Sequence, residues 1–310
     1  VRWAFGVFGV LAAVYLYLAT VHPRQPVAGH PFFDKPGPWA IAHRGGGGLW
    51  PENTLFAFEK ARQLGVDAIE MDLRASGDGE IVVIHDRGVN RTTNGSGRVD
   101  QMTLEQIRTL DAGYKFQDSL GQFPYRGQGI GVPLFAEVLA RLPDTRLNVE
   151  MKEFTPELAG RLCQLLKQAG ASQRVLVASF DHEPMLAFRS ACPAVATSAT
   201  LREAVLFYQL TRTGLISLYR GPAVALQVTE TLRGRRVIDR GLLRTAREMN
   251  IQVEVWTVNE EAIMKRLLDL GVHGILTDYP DRLLRVMGRP VPARVAPTTN
   301  RADPQRRRLL

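Results

Sequence analysis

Cysteine is almost absent from this chain. Cys163 and Cys192 are the two in 310 residues, and neither belongs to a Cys-x-x-Cys pair. A cysteine-ligated zinc module is thereby excluded, no disulfide framework is indicated, and both residues read as small core hydrophobes. A P-loop is missing as well: Gly45–Gly48 is followed by no Lys-Ser/Thr and lacks the spacing of a dinucleotide fingerprint. The sequence shows no nucleic-acid module, so the net charge of +8 favours anionic partners without pointing to nucleic acid. That charge is dispersed except in the tail, residues 289–310, where Arg301–Arg308 is its densest part. No feature marks an obligate protein partner.

What is present suits one large domain. Apolar residues make up 45% and charged residues 23%, the balance of a globular chain, and the length fits one barrel of about 250 residues with short appendages. From Trp3 to Val21 no residue is charged, and a run of about twenty apolar residues is what a bilayer-spanning helix requires. A cleaved signal peptide is the competing reading. Its apolar core is typically shorter, about 7–15 residues, and ends in a small-x-small site, whereas this run leads into Val21-His22-Pro23-Arg24. Residues 1–22 are therefore expected to be a single-pass membrane anchor. Arg2 on one flank and Arg24 and Lys35 on the other leave the side of the membrane undetermined. Residues 23–38 are rich in proline and glycine and read as a linker.

From Trp39 onward, short β-prone runs alternate with amphipathic stretches, which predicts βα units on a parallel sheet. Strands are expected at Trp39–His43, Ala68–Leu73, Glu80–His85, Leu147–Lys152, Arg174–Ser179, Val195–Thr200, Ala223–Val228, Ile251–Thr257 and Gly274–Thr277. Helices are expected at Thr54–Leu64, Leu134–Leu142, Pro156–Ala169, Arg240–Met249 and Glu260–Leu270. This pattern fits an α/β fold, a closed (β/α)8 barrel over residues 39–288 with one extra hairpin strand. Residues 87–132 break the rhythm and read as an insertion. Glu203–Pro222 is unusually apolar, and reads either as barrel helix with buried loop or as a surface dipping into a membrane through Phe207, Leu215 and Ile216.

Strand alternation assigns the chemistry. In Ile-Glu-Met-Asp-Leu, Glu70 and Asp72 share one face, and in Asn-Val-Glu-Met-Lys so do Glu150 and Lys152. Three inward carboxylates need cations, either the neighbouring Lys152 and Arg44 or a hard divalent ion such as Mg²⁺ or Ca²⁺. His43 and His85 each end an apolar strand and each precede a charged residue. Both should emerge at the carboxyl rim, where barrels place their sites, and both suit acid–base work near neutrality. Arg44 and Lys152 would supply positive charge for a phosphate. Asn53 or Thr54 can cap the following helix, whereas Glu52 is unexplained by capping and is read as a site residue.

The string HRGGGGLWPENTLFAFEKARQLGVDAIEMDLRASGDGEIVVIHD closely resembles the opening motif of the glycerophosphodiester phosphodiesterase family. Further matches lie in PLFAEVLARLPDTRLNVEMK and VEVWTVNEEAIMKRLLDLGVHGILTDYPDRL, so the resemblance spans about residues 39–285. One departure is Ser76-Gly77-Asp78-Gly79, where threonine usually precedes Asp-Gly. The resemblance implies a (β/α)8 barrel with a small insertion after its second strand and a divalent ion at Glu70, Asp72 and Glu150. It also implies acid–base histidines at His43 and His85, phosphate contacts from Arg44 and Lys152, and an aromatic wall at Trp256. The expected activity is hydrolysis of glycerophosphodiesters to glycerol phosphate and an alcohol. The N-terminal run and Val258-Asn259-Glu260-Glu261 resemble anchored members that include lysophospholipase D enzymes, which leaves lysophospholipids as the alternative substrate. A non-catalytic, tethered phosphate-binding protein would be expected to lose a histidine or a carboxylate of this set, and none is lost.

Overall fold

Eight parallel strands frame the computed structural model, which describes residues 13–17 and 24–292. In chain order the strands are β1 (Trp39–Ala42), β2 (Ala68–Ala75), β3 (Ile81–Val83), β4 (Leu147–Met151), β5 (Val175–Ala178), β6 (Ala196–Thr197), β7 (Ala225–Val228), β8 (Thr231–Leu232), β9 (Arg235–Arg236), β10 (Gln252–Val255) and β11 (Gly274–Thr277). Neighbours run β6-β5-β4-β2-β1-β11-β10-β7, all parallel, and the bridge Ser198↔Ala225 joins the two ends into a barrel. The expected extra strand is β3, which pairs antiparallel with β2 outside the ring. It stops at Val83, so His85 sits in the loop beyond it.

Helices α1 (Leu55–Leu64), α2 (Leu104–Arg108), α3 (Phe135–Arg141), α4 (Pro156–Gln168), α5 (His182–Ala191), α6 (Leu201–Arg212), α7 (Arg240–Glu248), α8 (Glu261–Leu270) and α9 (Pro280–Val286) complete the order. Several start where the sequence offers a cap: Thr54, Thr155 and Thr200 each accept an amide hydrogen from the first turn. Outward strand residues such as Ile69, Met71, Val149 and Val177 pack with helix residues such as Phe58, Leu162 and Phe188. Inward residues Trp39, Ile41, Leu176 and Leu276 fill the barrel itself. The insertion has its own core of Val89, Val99, Ile107, Leu110, Ile130 and Val132 beside Val82 and Ile84.

The segment read as a linker is packed from residue 24 onward. Val27 and Met249 share a backbone hydrogen bond of 2.9 Å, His30 Nε2 lies 3.1 Å from Ala194 O, and Phe32 is buried against Trp39. Arg146 Nε donates to Phe32 O at 3.0 Å, and Lys35 pairs with Asp67 at 2.6 Å. Proline and glycine here shape a strap rather than a free tether. Arg289, read as the start of the basic tail, also docks on Asp67. Residues 293–310 lie outside the described residues.

Two further expectations change. Cys163 and Cys192 are core residues, but they form a disulfide, with Cα atoms 5.6 Å apart. Their separation of 29 residues hid the pairing, because α4 and α5 pack side by side and bring Cys163 against Cys192 just beyond α5. In Glu203–Pro222, Phe207, Ile216 and Tyr219 are buried, and Phe207 and Tyr219 stack edge to face at 5.1 Å. The barrel-helix reading therefore holds there, and the membrane contact through Phe207 and Ile216 is overturned. Among the described residues no helix is long and apolar enough to cross a membrane. Of the expected anchor only residues 13–17 are described, and they are helical and exposed; its remainder lies outside the described residues.

Candidate active site

The site is built at the carboxyl ends of the barrel strands. Register pairs Glu70 with Asn148 and Asp72 with Glu150 across β2 and β4, so the three carboxylates face one space. One ligand oxygen from each of Glu70, Asp72 and Glu150 can be chosen so that all lie within 4.8 Å of one another. Burial, and after it the Asp72 charge, push the Glu70 carboxyl up to about 8. Burial likewise raises Glu150, against the pull of Lys152. For Asp72 burial is outweighed by Arg44 and Lys152, and its carboxyl is held below the usual range. Crowded oxygens that resist joint ionisation are a donor set that a hard divalent cation fits.

Two basic residues brace the acids. Lys152 Nζ lies 2.8 Å from Glu150 Oε1 and 3.3 Å from Asp72 Oδ1. Arg44 Nε lies 3.3 Å from Asp72 Oδ2, while its Nη1 donates to Glu52 at 2.9 Å. Arg44 has a φ of 52°, in the left-handed region, and this turn aims its amide at Glu70 Oε2, 2.7 Å away. The glycines beside it serve the same crowding: a Cβ on Gly45 would meet the Phe58 ring at 2.7 Å, and one on Gly48 the Tyr279 ring at 2.6 Å. Glu52 is held by Arg44 and by two 2.7 Å bonds from Arg91, so it anchors the arginines.

Both histidines are oriented through Nδ1. His43 Nδ1 lies 2.7 Å from Asp278 Oδ1, and its Nε2 is 3.9 Å from Glu70 Oε2. Burial opposes protonation of His43, but Glu70 and Asp278 outweigh it and raise its pKa. His85 Nδ1 lies 2.6 Å from Asp86 Oδ1, and Asp86 is in turn held by Arg91. For His85 burial prevails over Asp72 and Asp86, so its pKa falls. The two imidazoles thus flank the same acids in different electrostatic surroundings. Trp256 stands at the rim with Phe180 edge-on at 5.7 Å, and Lys152 Nζ is 6.0 Å from the Phe180 ring centre.

The structure therefore gathers His43, His85, Arg44, Glu52, Glu70, Asp72, Glu150 and Lys152 into one polar network, with Trp256 at its edge. Sequence reasoning missed Asp278, Asn259, Asn53, Asp86 and Arg91. Asn53 Nδ2 donates to Asp72 at 2.9 Å, which leaves the capping of α1 to Thr54. Asp278 was within reach of the alternation argument, since it follows β11 as His43 follows β1, and Ala42 pairs with Thr277.

Comparison with known proteins agrees with this geometry. Residues 43–282 match the model of the glycerophosphoryl diester phosphodiesterase family. A glycerophosphodiester phosphodiesterase from Caldanaerobacter subterraneus is 32% identical over 80% of this chain and 96% of its own length. A lysophospholipase D from Mus musculus is 28% identical over 78% of this chain and 84% of its own. The crystal structure of a glycerophosphodiester phosphodiesterase from Agrobacterium tumefaciens superposes with a TM-score of 0.63 at 28% identity, covering 79% of this chain and 98% of that one. The chain belongs to the glycerophosphoryl diester phosphodiesterase family.

Proposed function

We propose that this chain hydrolyses glycerophosphodiesters, releasing glycerol phosphate and an alcohol. The observation that carries the reading is the cluster Glu70, Asp72 and Glu150, flanked by two aspartate-bound histidines at one barrel rim. Glu70, Asp72 and Glu150 would hold Mg²⁺ or Ca²⁺, which when bound neutralises charge on the phosphate oxygens. Arg44 and Lys152 add fixed positive charge beside the phosphodiester. With Nδ1 engaged, His43 and His85 each offer Nε2 to the reaction. One takes a proton from the nucleophile, either water or a neighbouring substrate hydroxyl, and the other gives a proton to the departing alcohol oxygen.

We further read residues 1–22 as a retained membrane anchor, and the strap favours water-soluble diesters over lysophospholipids. Asp67, Arg146, Ala194, Met249 and His273, which the strap or Trp39 contacts, all precede barrel strands, whereas the site residues lie within β2 and β4 or beyond the carboxyl ends of the strands. An anchor joined to this strap approaches the barrel at the end away from the rim. Asp67 and Asp72 are separated along β2 by about 16 Å at the usual rise per residue, so the rim stands clear of the anchored end. The Cys163–Cys192 bridge supports an oxidising side of the membrane for the barrel. Lysophospholipid cleavage is the second reading, supported by the likeness to the Mus musculus lysophospholipase D.

The test is a substrate panel with purified full chain, scoring glycerol phosphate from glycerophosphocholine against lysophosphatidate from lysophosphatidylcholine, with and without EDTA. Metal-dependent release of glycerol phosphate is expected to dominate. Release of lysophosphatidate alone would move the assignment to lysophospholipids, and no release from either would refute the enzymatic reading.

A further inference from the structure

Asp278 is bound on both sides of its carboxylate. Oδ1 faces His43 Nδ1 at 2.7 Å, and Oδ2 accepts from Asn259 Nδ2 at 2.8 Å. Asn259 answers with its oxygen, which accepts from the Asp278 amide at 2.9 Å and from Thr277 Oγ1 at 3.1 Å. Asp278 O further accepts from Gly48 N at 3.0 Å, tying the loop after β1 to the end of β11. His43 and Asp278 are successors of the paired residues Ala42 and Thr277, so adjacent strand ends hold them face to face.

We propose that Asp278 and Asn259 are positioning residues that act through His43 in the reaction proposed above. A carboxylate at Nδ1 fixes the tautomer with hydrogen on Nδ1, which leaves Nε2 as the nitrogen that exchanges a proton with substrate. Asn259 fixes the carboxylate. Its two-way bond to Asp278 holds Oδ2 in place, so Oδ1 stays on His43 and does not swing toward the nearby Arg44. The ring is thereby locked at both the tautomer and the rotation that bring Nε2 toward the Glu70 carboxylate, 3.9 Å away. Burial strengthens the arrangement, since the His43 side chain is only 14% exposed and little water competes for Nδ1. Asp86 offers His85 the same Nδ1 contact, and Arg91 holds both its oxygens, through Nε at 2.6 Å and Nη2 at 3.2 Å, but from a side chain 48% exposed, where water competes more freely than at His43.

The proposal is tested with the full chain, its metal supplied, and glycerophosphocholine as substrate. Asp278→Asn should lower kcat by about 10²–10⁴-fold, the range of a general acid–base contribution, with KM within about three-fold of wild type. In a His43→Ala background the same change should lower kcat by less than about three-fold, because residues acting as one unit are not additive. Asn259→Ala keeps the carboxylate and should cost about ten-fold in kcat, again only when His43 is present. Multiplicative losses in either double variant, or an unchanged kcat in Asp278→Asn, would overturn the positioning role. A second readout does not depend on turnover. Nitrogen-15 histidine spectra should show a downfield His43 Nδ1–H signal that Asp278→Asn abolishes, and its absence in wild type would also overturn the proposal. If wild type shows that proton but hydrolyses no diester, the catalytic reading fails while the His43–Asp278 contact stands. Should Asp278→Asn fail to fold, the Asn259→Ala cycle alone decides.

Discussion

Gln227 Nε2 donates to Glu254 Oε2 at 2.7 Å inside the barrel, while Glu254 Oε1 is buried without a hydrogen-bond partner. The two residues face each other in register on β7 and β10, and Glu254 is fully buried. Burial pushes its carboxyl up to about 7, and the Gln227 hydrogen bond only partly opposes this. A raised carboxyl holds more protons folded than unfolded, so its stability contribution is complete below the unfolded value of about 4.5 and is lost as pH rises through about 7. Glu254→Gln removes this slope. Relative to wild type, the variant should gain on the order of 3 kcal/mol on passing from pH 4.5 to pH 8. Urea unfolding at the two pH values measures the gain, and parallel stability curves would contradict it.

The metal site yields a separate expectation. EDTA should abolish hydrolysis, and Mg²⁺ or Ca²⁺ should restore it, because three crowded carboxylates, two of them buried, otherwise face one another with Arg44, Lys152 and His43 as their nearby bases. Asp72→Asn, Glu70→Gln and Glu150→Gln should each weaken cation binding at least about ten-fold by calorimetry, given how closely affinity follows ligand charge. Full activity in chelated enzyme would show the acids to be partners of Arg44 and Lys152 alone.

Much of this site is written in local pattern. Alternation in Ile69–Leu73 puts two acids on one face and in Val149–Lys152 an acid and a lysine, and the strand ends at His43 and Asp278 obey the same rule. Glu254 obeys it too, two residues before Trp256 on the inward face, yet an isolated acid in an apolar strand has no local partner to mark it. What pattern does not carry is closure. The pairing of β1 with β11 brings together residues 235 apart in sequence, as in His43 and Asp278, and the α4–α5 packing does the same for Cys163 and Cys192. The proline and glycine of residues 24–38 signal irregular backbone, but whether such a segment is free depends on anchors such as Phe32 and Lys35, whose partners lie far along the chain.

The disulfide should be a measurable part of stability. It closes a loop of 29 residues, and the chain-entropy relation assigns such a loop about 3–4 kcal/mol. Replacing both Cys163 and Cys192 by alanine should lower unfolding free energy by that order while leaving kcat on soluble diesters near wild type, since neither residue reaches the rim. Equal stability of the two proteins, or free thiols by alkylation of the unfolded native protein, would refute the bridge.

The last expectation joins the strap to the substrate. Gln63, near the end of α1, lies at the strap end of the barrel, because the helices run against the strands. Leu232 lies in the hairpin that follows β7, at the rim end, and it is 63% exposed. With Cys163 and Cys192 bonded to each other, Gln63→Cys or Leu232→Cys gives one free thiol for a fluorescent donor. In the full chain reconstituted with vesicles carrying an acceptor lipid, energy transfer should be stronger from position 63 than from position 232, because the anchored end lies nearer the bilayer. Long-chain lysophosphatidylcholine held in those vesicles should then be cleaved poorly, while a short-chain, monomeric lysophosphatidylcholine and glycerophosphocholine stay accessible. The difference should grow with chain length, since each methylene withdrawn from the bilayer costs about 0.8 kcal/mol. Stronger transfer from Leu232→Cys, together with efficient cleavage of the long-chain lipid, would place the rim on the membrane and favour the lysophospholipid reading. No transfer from either position would refute the anchor.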